Sequence, residues 1–242
     1  MQPEYHREHH KRIARILSSM DADYFLRNEV FFGGGTAISL LLNEYRTSVD
    51  IDFMVASQDG YRAIRESVFD RGLGDFFIGG VVPPLARDVR ADIDGVRTAI
   101  LVDGVKIKFE VIRESRIELV GGINEFVVPS LSRVSLFAEK LLANADRGNA
   151  ADSQKKDILD LLCMQMEWGP IPDASIRLAS NAYGYRVIKS AYEDAMNVIQ
   201  SNNLPNILIS LDILPKQRVR MISAIESGHY SILPELQRAF TP

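Results

Sequence analysis

At 242 residues, 46% apolar and 25% charged, the chain has the composition of an ordinary soluble globular protein with one sizeable core, or a core plus a smaller domain. No apolar run approaches the roughly 18 residues that span a bilayer, the polar start MQPEYHREHHKR lacks a secretory core, and a lone Cys163 excludes an intramolecular disulfide framework; a cytoplasmic location with no membrane partner is therefore expected. The net charge of −4 excludes a general polyanion-binding surface, so a nucleic-acid partner needs a local basic patch.

Residues 4–20 read as a helix, with Ile13, Ile16, Leu17 and Met20 on one stripe. His6 and His10 stand one turn apart at its start with His9 between them. Nothing nearby completes a metal-ligand pattern, and a solvated polar helix end is the preferred reading. Val30–Phe32 suits a short buried strand ending at Gly33-Gly34-Gly35, and Thr36 is a plausible N-cap for the helix AISLLLNEY. Glycines before a helix let backbone N–H groups reach a ligand, although they equally serve backbone geometry alone.

Thirteen residues separate Thr36 from Asp50, enough for that helix and a return loop. VDIDFMV then alternates, with Val49, Ile51 and Phe53 on one face and Asp50 and Asp52 on the other. Two carboxylates side by side repel unless a cation neutralises them. Hard divalent ions such as Mg2+ choose carboxylate oxygens and need few protein ligands when a triphosphate supplies the rest. The glycine turn at a fitting distance favours this reading over an exposed strand with coincidental acids.

Tyr61–Leu73 reads as a helix, and ARDVRADIDG is charged without clear periodicity. Its Asp92-x-Asp94 is followed at once by Gly95, so a turn is the better reading. Arg97–Arg113 reads as a hairpin, TAILV and KIKFEVI joined through Asp103-Gly104. Glu110, flanked by Lys106 and Lys108 on one strand face, suits a cross-strand ion pair or a third acid of a metal site; the Asp-x-Asp strand favours the latter.

After Pro129-Ser130 the chain turns helical. LSRVSLFAEKLLANADR carries Arg133, Lys140 and Arg147 at sevens along one face, with Asn144 beside Lys140. A basic stripe is usually solvated surface, and it is also the local patch a phosphate-handling acidic protein needs. DSQKKDILDLLCMQMEW follows, with Asp157 and Asp160 on one face, and further helices run from Asp173 onward between Asn202, Asn203, Pro205 and Pro215. Tyr183, Tyr185 and Tyr192 read as core rather than as base-stacking platforms, and Cys163 as structural.

These residues resemble a family. GGGTAISLLLNEYRTSVDIDF is similar to the first motif of the AbiEii/AbiGii-type nucleotidyltransferase toxins, within the broader DNA polymerase beta-like superfamily. EKLLANADR and KKDILDL resemble the family's lysine-centred helix and its (Arg/Lys)-Asp-x-x-Asp-Leu helix, so the likeness spans roughly residues 28–165. It implies an α/β (α+β) nucleotidyltransferase fold, a small mixed sheet with flanking helices in residues 1–128 and a mostly helical domain over 129–242. It implies that Gly34, Gly35 and Thr36 contact a nucleoside triphosphate, with Arg46 a further phosphate-neutralising candidate. Asp50 and Asp52, with Glu110 as third acid, would hold Mg2+. Lys140 would match the nucleotide-contacting lysine and Asp157 the aspartate of the downstream motif. Thr36 stands where many relatives have Ser, and Lys156 where they often have Arg, a less stringent phosphate fork.

The expected activity is Mg-dependent transfer of a nucleoside monophosphate from an NTP to an acceptor hydroxyl, releasing pyrophosphate. By resemblance the acceptor is RNA, the tRNA 3′ end above all, and the protein a toxin with a cognate antitoxin. A protein or small-molecule hydroxyl is the alternative acceptor, and a non-catalytic nucleotide-binding module the alternative class.

Overall fold

The computed structural model describes residues 4–123, 125–147, 155–201 and 204–236. The chain divides into two compact units, residues 1–133 and 134–242. No helix among the described residues is long and apolar enough to cross a membrane.

The first unit opens with α1 (Glu8–Ser18) and α2 (Ala22–Arg27), then runs β1 (Val30–Gly33), α3 (Gly34–Leu41), β2 (Ile51–Val55) and α4 (Gln58–Arg71). Two 3-10 turns lead to β3 (Leu85–Ala91), β4 (Gly95–Val102), β5 (Val105–Arg113), β6 (Gly121–Ile123) and β7 (Ser130–Leu131). The strands form one mixed sheet in the order β3-β4-β5-β2-β1-β7-β6. At its centre β2 pairs antiparallel with β1 and parallel with β5. The mixed α/β class implied by the resemblance is the class observed.

Alternation explains the sheet's sidedness. Ile51, Phe53 and Val55 of β2, with Ile107, Phe109 and Val111 of β5, are fully buried. Phe53 stacks on Phe25 at 4.8 Å and meets Phe32 and Phe109 at tilted angles, and each such ring contributes about 1.5–3 kcal/mol by leaving water. The opposite face of β2 carries the half-buried Asp52 and Met54. The alternation starts at Ile51 rather than Val49: Val49 lies outside the ladder and is exposed. At the hairpin tip Asp103 (φ 50°) and Gly104 (φ 74°) take the two left-handed positions that a tight two-residue turn requires.

The sequence reading missed β3. It is an edge strand with register irregularities between Leu85 and Arg87 and between Arg87 and Arg90, which erase the two-residue period. Asp92-x-Asp94 is a turn, as Gly95 indicated: Asp92 Oδ1 accepts from the N–H groups of Asp94 (3.0 Å) and Gly95 (3.1 Å). Helix α4 starts three residues before the expected Tyr61, because Ser57 caps it by accepting from Gly60 N–H.

The second unit is helical: α5 (Arg133–Arg147, its first residue in the preceding unit), α6 (Lys156–Trp168), α7 (Asp173–Tyr183), α8 (Tyr185–Ser201), α9 (Leu204–Ser210) and α10 (Pro215–Glu226). Gly169 and Gly184, both at positive φ, end α6 and α7, and Pro215 opens α10. Asp152–Gln154 of the expected α6 segment and the Asn202-Asn203 break lie outside the described residues. Cys163 is buried among the apolar side chains of α6. Of the three tyrosines read as core, Tyr192 alone is fully buried; Tyr183 and Tyr185 are half-buried. Burial pushes the Tyr192 phenol up to about 12, against a hydrogen bond from Gln165, while its hydroxyl donates to Tyr230 O (2.8 Å).

Candidate active site

The site grows from the β1–α3 turn. Gly34 sits at φ +69° with its α-carbon against the Asp52 carboxylate: a Cβ there would lie 2.6 Å from Oδ2. A Cβ on Gly35 would lie 2.5 Å from Arg46 Nη2 and 3.3 Å from Ser48 Oγ. Gly34 is therefore required by both its conformation and its close approach, a side chain at Gly35 would have to displace the Arg46 guanidinium, and the turn packs directly onto the segment carrying the acids. Gly33, not Thr36, stands at the N-cap position of α3. Thr36 lies inside the first turn, fully buried, where its hydroxyl donates to Asp50 O (2.5 Å) and meets Ser48 Oγ at 2.9 Å. A cap would have turned that hydroxyl back on its own helix; here it anchors the entry to β2.

Residues 43–49 are held from two sides. Ser39 Oγ of α3 donates to Arg46 O (2.6 Å). Arg46 itself is buried, its Nε donating to Tyr45 Oη (3.1 Å) and its Nη1 to Thr47 O (2.9 Å), so the structure places it as a strut behind Gly35. From the other side comes α1. Glu44, at φ 54°, accepts from the N–H groups of His6 (2.6 Å) and Arg7 (3.0 Å) at the helix start, where a carboxylate also suits the dipole. Arg7 returns bonds to Glu44 O (3.1 Å) and Thr47 Oγ1 (2.7 Å).

His10 corrects the solvated reading of the histidines. It is fully buried, with Nδ1 2.9 Å from Glu44 Oε1 and Nε2 in reach of Ser48 N (3.2 Å) and Ser48 O (3.1 Å). His9 Nε2 meets Val49 O at 2.9 Å. A signal was present: His10 precedes Ile13 and Leu17 by three and seven residues, on the apolar stripe rather than beside it. Neutral His10 donates from Nδ1 to the Glu44 carboxylate and accepts from Ser48 N–H at Nε2, so the buried imidazole fits the loop without a charge of its own.

Burial holds the His10 imidazole below its ordinary 6.5 despite the Glu44 bond. Burial pushes the Glu44 carboxyl up, but the His6 and Arg7 N–H groups and His10 outweigh it and hold it below 4.5. For His10 the unfolded chain takes up the proton first, so stability is lost as pH falls through and below about 6.5; Glu44 adds a further loss below about 4.5. Thermal unfolding between about pH 7.5 and 5 should therefore show a falling midpoint in the parent protein and a flatter profile in His10→Gln. An unchanged slope in that variant would assign the pH dependence elsewhere.

The acids themselves lie close in the chain. Asp50 and Asp52 are half-buried on either side of Ile51. Glu110 stands opposite Asp52 in the parallel β2–β5 register, so both occupy the same sheet face. Its carboxylate is engaged by Lys108 Nζ (2.5 Å) and Arg97 Nε (3.5 Å). Among the described residues no three His, Cys, Asp or Glu side chains are gathered as for a metal ion. The pair Asp50 and Asp52 still suits Mg2+ in kind: the donors are hard oxygens, and the small Gly34 leaves the Asp52 carboxylate accessible beside a helix start. Such an ion takes its remaining ligands from phosphate and water.

Lys140 and Asp157 are brought together in the second unit. Lys140 is buried, its Nζ 2.9 Å from Asp157 Oδ1 and 2.7 Å from Asp160 Oδ2, and Arg147 bridges to Asp157 at 2.8 Å. The α5 stripe is accordingly no continuous basic surface. A lysine drawn into the interior needs counter-charges, and the i, i+3 acids of α6 supply them.

In fold the chain is similar to JHP933 from Helicobacter pylori (14% identity, 93% of this chain and 94% of that one, TM-score 0.50). It also aligns with an antigenic nucleotidyltransferase-like protein from Paracoccidioides brasiliensis (15% identity, 92% and 94% coverage, TM-score 0.41). No curated protein matches it. The family described as nucleotidyl transferase AbiEii toxin, Type IV toxin–antitoxin system, matches residues 15–230, and the chain belongs to that family of nucleotidyltransferases.

Proposed function

We propose that this protein transfers a nucleoside monophosphate from an NTP to a hydroxyl of an RNA acceptor, the 3′ end of tRNA in particular. On this reading it acts as a toxin that a cognate antitoxin restrains. The observation that carries the reading is the packing of the Gly34-Gly35 turn onto the Asp52 carboxylate, which sets a helix start beside paired acids. The N–H groups at the start of α3 receive phosphate oxygens, where fixed dipoles need no reorganisation.

Asp50 and Asp52, with Glu110 as third acid, would hold Mg2+. That ion, when bound, neutralises phosphate charge and favours ionisation of the attacking hydroxyl. Thr36 acts through Asp50, fixing its main chain from below. The acceptor oxygen forms its bond to the α-phosphorus as the bond to pyrophosphate breaks, and Glu110 takes the hydroxyl proton. In the second unit, Lys140 would be the nucleotide-contacting lysine that the resemblance implies, its ammonium oriented by Asp157 and Asp160.

The test offers each labelled NTP, with Mg2+, to total RNA, purified tRNA and cell protein, using Asp50→Ala as control. Label in tRNA that vanishes with Asp50→Ala, with growth arrest on expression that the same change relieves, is the expected result. Label confined to protein would sink the RNA acceptor. Nucleotide binding without transfer to anything would turn the reading to a binding module.

A further inference from the structure

The sheet face that carries Asp52 and Glu110 continues sideways over β5, β4 and β3, and its composition changes along the way. In the antiparallel β4–β5 ladder Arg97 lies opposite Glu110, Ala99 opposite Lys108 and Leu101 opposite Lys106. In the next pair Arg90 lies opposite Arg97 and Arg87 opposite Ala99. Directly opposed residues share a face, so Arg87, Arg90, Arg97, Lys106 and Lys108 stand together on three adjacent strands. The reverse face is the apolar core, with Val96, Ile100, Ile107, Phe109 and Val111 fully buried.

The charge is not cancelled locally. Asp92 and Glu110 are shared among Arg90, Arg97 and Lys108. The tip carboxylate, Asp103, is taken by Arg12 and Arg15 of α1. Asp88 is exposed at the β3 irregularity, yet five cations still outnumber these acids. Arg87 and Lys106 are exposed and have no ion pair among the described residues. In a chain of net charge −4 this is a local reversal of sign. It lies on the sheet face of the candidate acids, and Lys106 is roughly 13 Å along β5 from Glu110 at about 3.3 Å per residue.

We propose that this β3–β4–β5 face is the docking surface for the phosphate backbone of the RNA acceptor, leading its reactive end to Asp50 and Asp52. The inference rests on the transferase reading above for its choice of RNA. The small Ala99 amid the cations lets a backbone approach closely, and the extended strands offer charges at regular intervals. The face contacts phosphates and reads no sequence, so its contribution should follow salt.

The experiment measures binding of the full chain to labelled tRNA without NTP, over a series of salt concentrations, for the parent protein, Arg87→Ala/Lys106→Ala and Arg87→Glu/Lys106→Glu. Both side chains are exposed and outside the candidate site, and NTP binding and the unfolding midpoint are recorded alongside. The alanine pair should weaken tRNA binding roughly tenfold and lower the slope of log K against log salt by about 1.5, with NTP binding unchanged. The charge reversal should weaken binding further.

Unchanged affinity and slope in both variants, or no tRNA binding by the parent, would overturn the proposal. So would tighter binding to single-stranded DNA of equal length, or binding to phosphatidylserine vesicles in place of tRNA. Docking and transfer fail separately. Weakened tRNA binding with label found only in protein keeps this face and removes the RNA-transfer reading. Full RNA labelling and binding by the alanine pair does the reverse.

Discussion

Asp50→Asn is expected to lower nucleotide transfer about 10^3-fold, roughly 4 kcal/mol of barrier at 1.36 kcal/mol per tenfold, while leaving the fold in place. The framework holds residue 50 through its main-chain carbonyl, which accepts from Thr36, and asparagine keeps that carbonyl. The change also removes one of two like charges either side of Ile51, so the unfolding midpoint without metal should hold or rise slightly. A catalytic loss with no stability loss is the signature of an acid retained for its ligand. Two measurements check it: single-turnover transfer across a Mg2+ titration, and thermal unfolding without the ion. A variant that unfolds readily would make Asp50 structural, and one that transfers at the parental rate would remove it from the site.

At Lys140 the expected effect falls first on stability. Lys140→Met withdraws the ammonium between Asp157 and the fully buried Asp160. Breaking a buried pair by removing one partner costs about 3–5 kcal/mol, because the remaining charge stays out of water. The midpoint should therefore fall by roughly ten degrees or more. Asp160→Asn on top of Lys140→Met should recover much of that loss, since the two residues are coupled. The double variant then isolates the role implied by the resemblance. If its stability returns while NTP affinity stays low, Lys140 serves the nucleotide as well as the fold. If NTP affinity returns too, Lys140 is a structural counter-ion alone.

The two changes differ for a physical reason. Asp50 and Asp52 are half-buried and stand either side of Ile51, two acids one residue apart whose like charges a bound cation would offset. Lys140, Arg147, Asp157 and Asp160 balance charge within the second unit, so losing one partner leaves another charge buried and unmatched. The sequence motifs name Asp50, Asp52, Lys140 and Asp157 together, because a motif reports which side chains are present and not what they touch.

What could be read from the chain by itself was whatever depends on short-range period and spacing. The alternation at Ile51 and Phe53, the Asp103-Gly104 turn and the interval between the glycine turn and Asp50 are local, and they placed the central strands with Asp52 and Glu110 on them. The tertiary structure decided everything that depends on what lies opposite. Only the fold brings Glu44 to the start of α1 and His10 under Ser48, contacts 34 to 38 residues apart in the chain. Only the fold turns Thr36 from a cap into an anchor for Asp50, and Arg46 into a strut behind Gly35. The edge strand β3 was illegible because its irregular register breaks the period, and the basic face exists only once β3, β4 and β5 lie side by side. Charge along a chain is a sum over residues, whereas a docking surface depends on which of those charges the ladders bring onto one face.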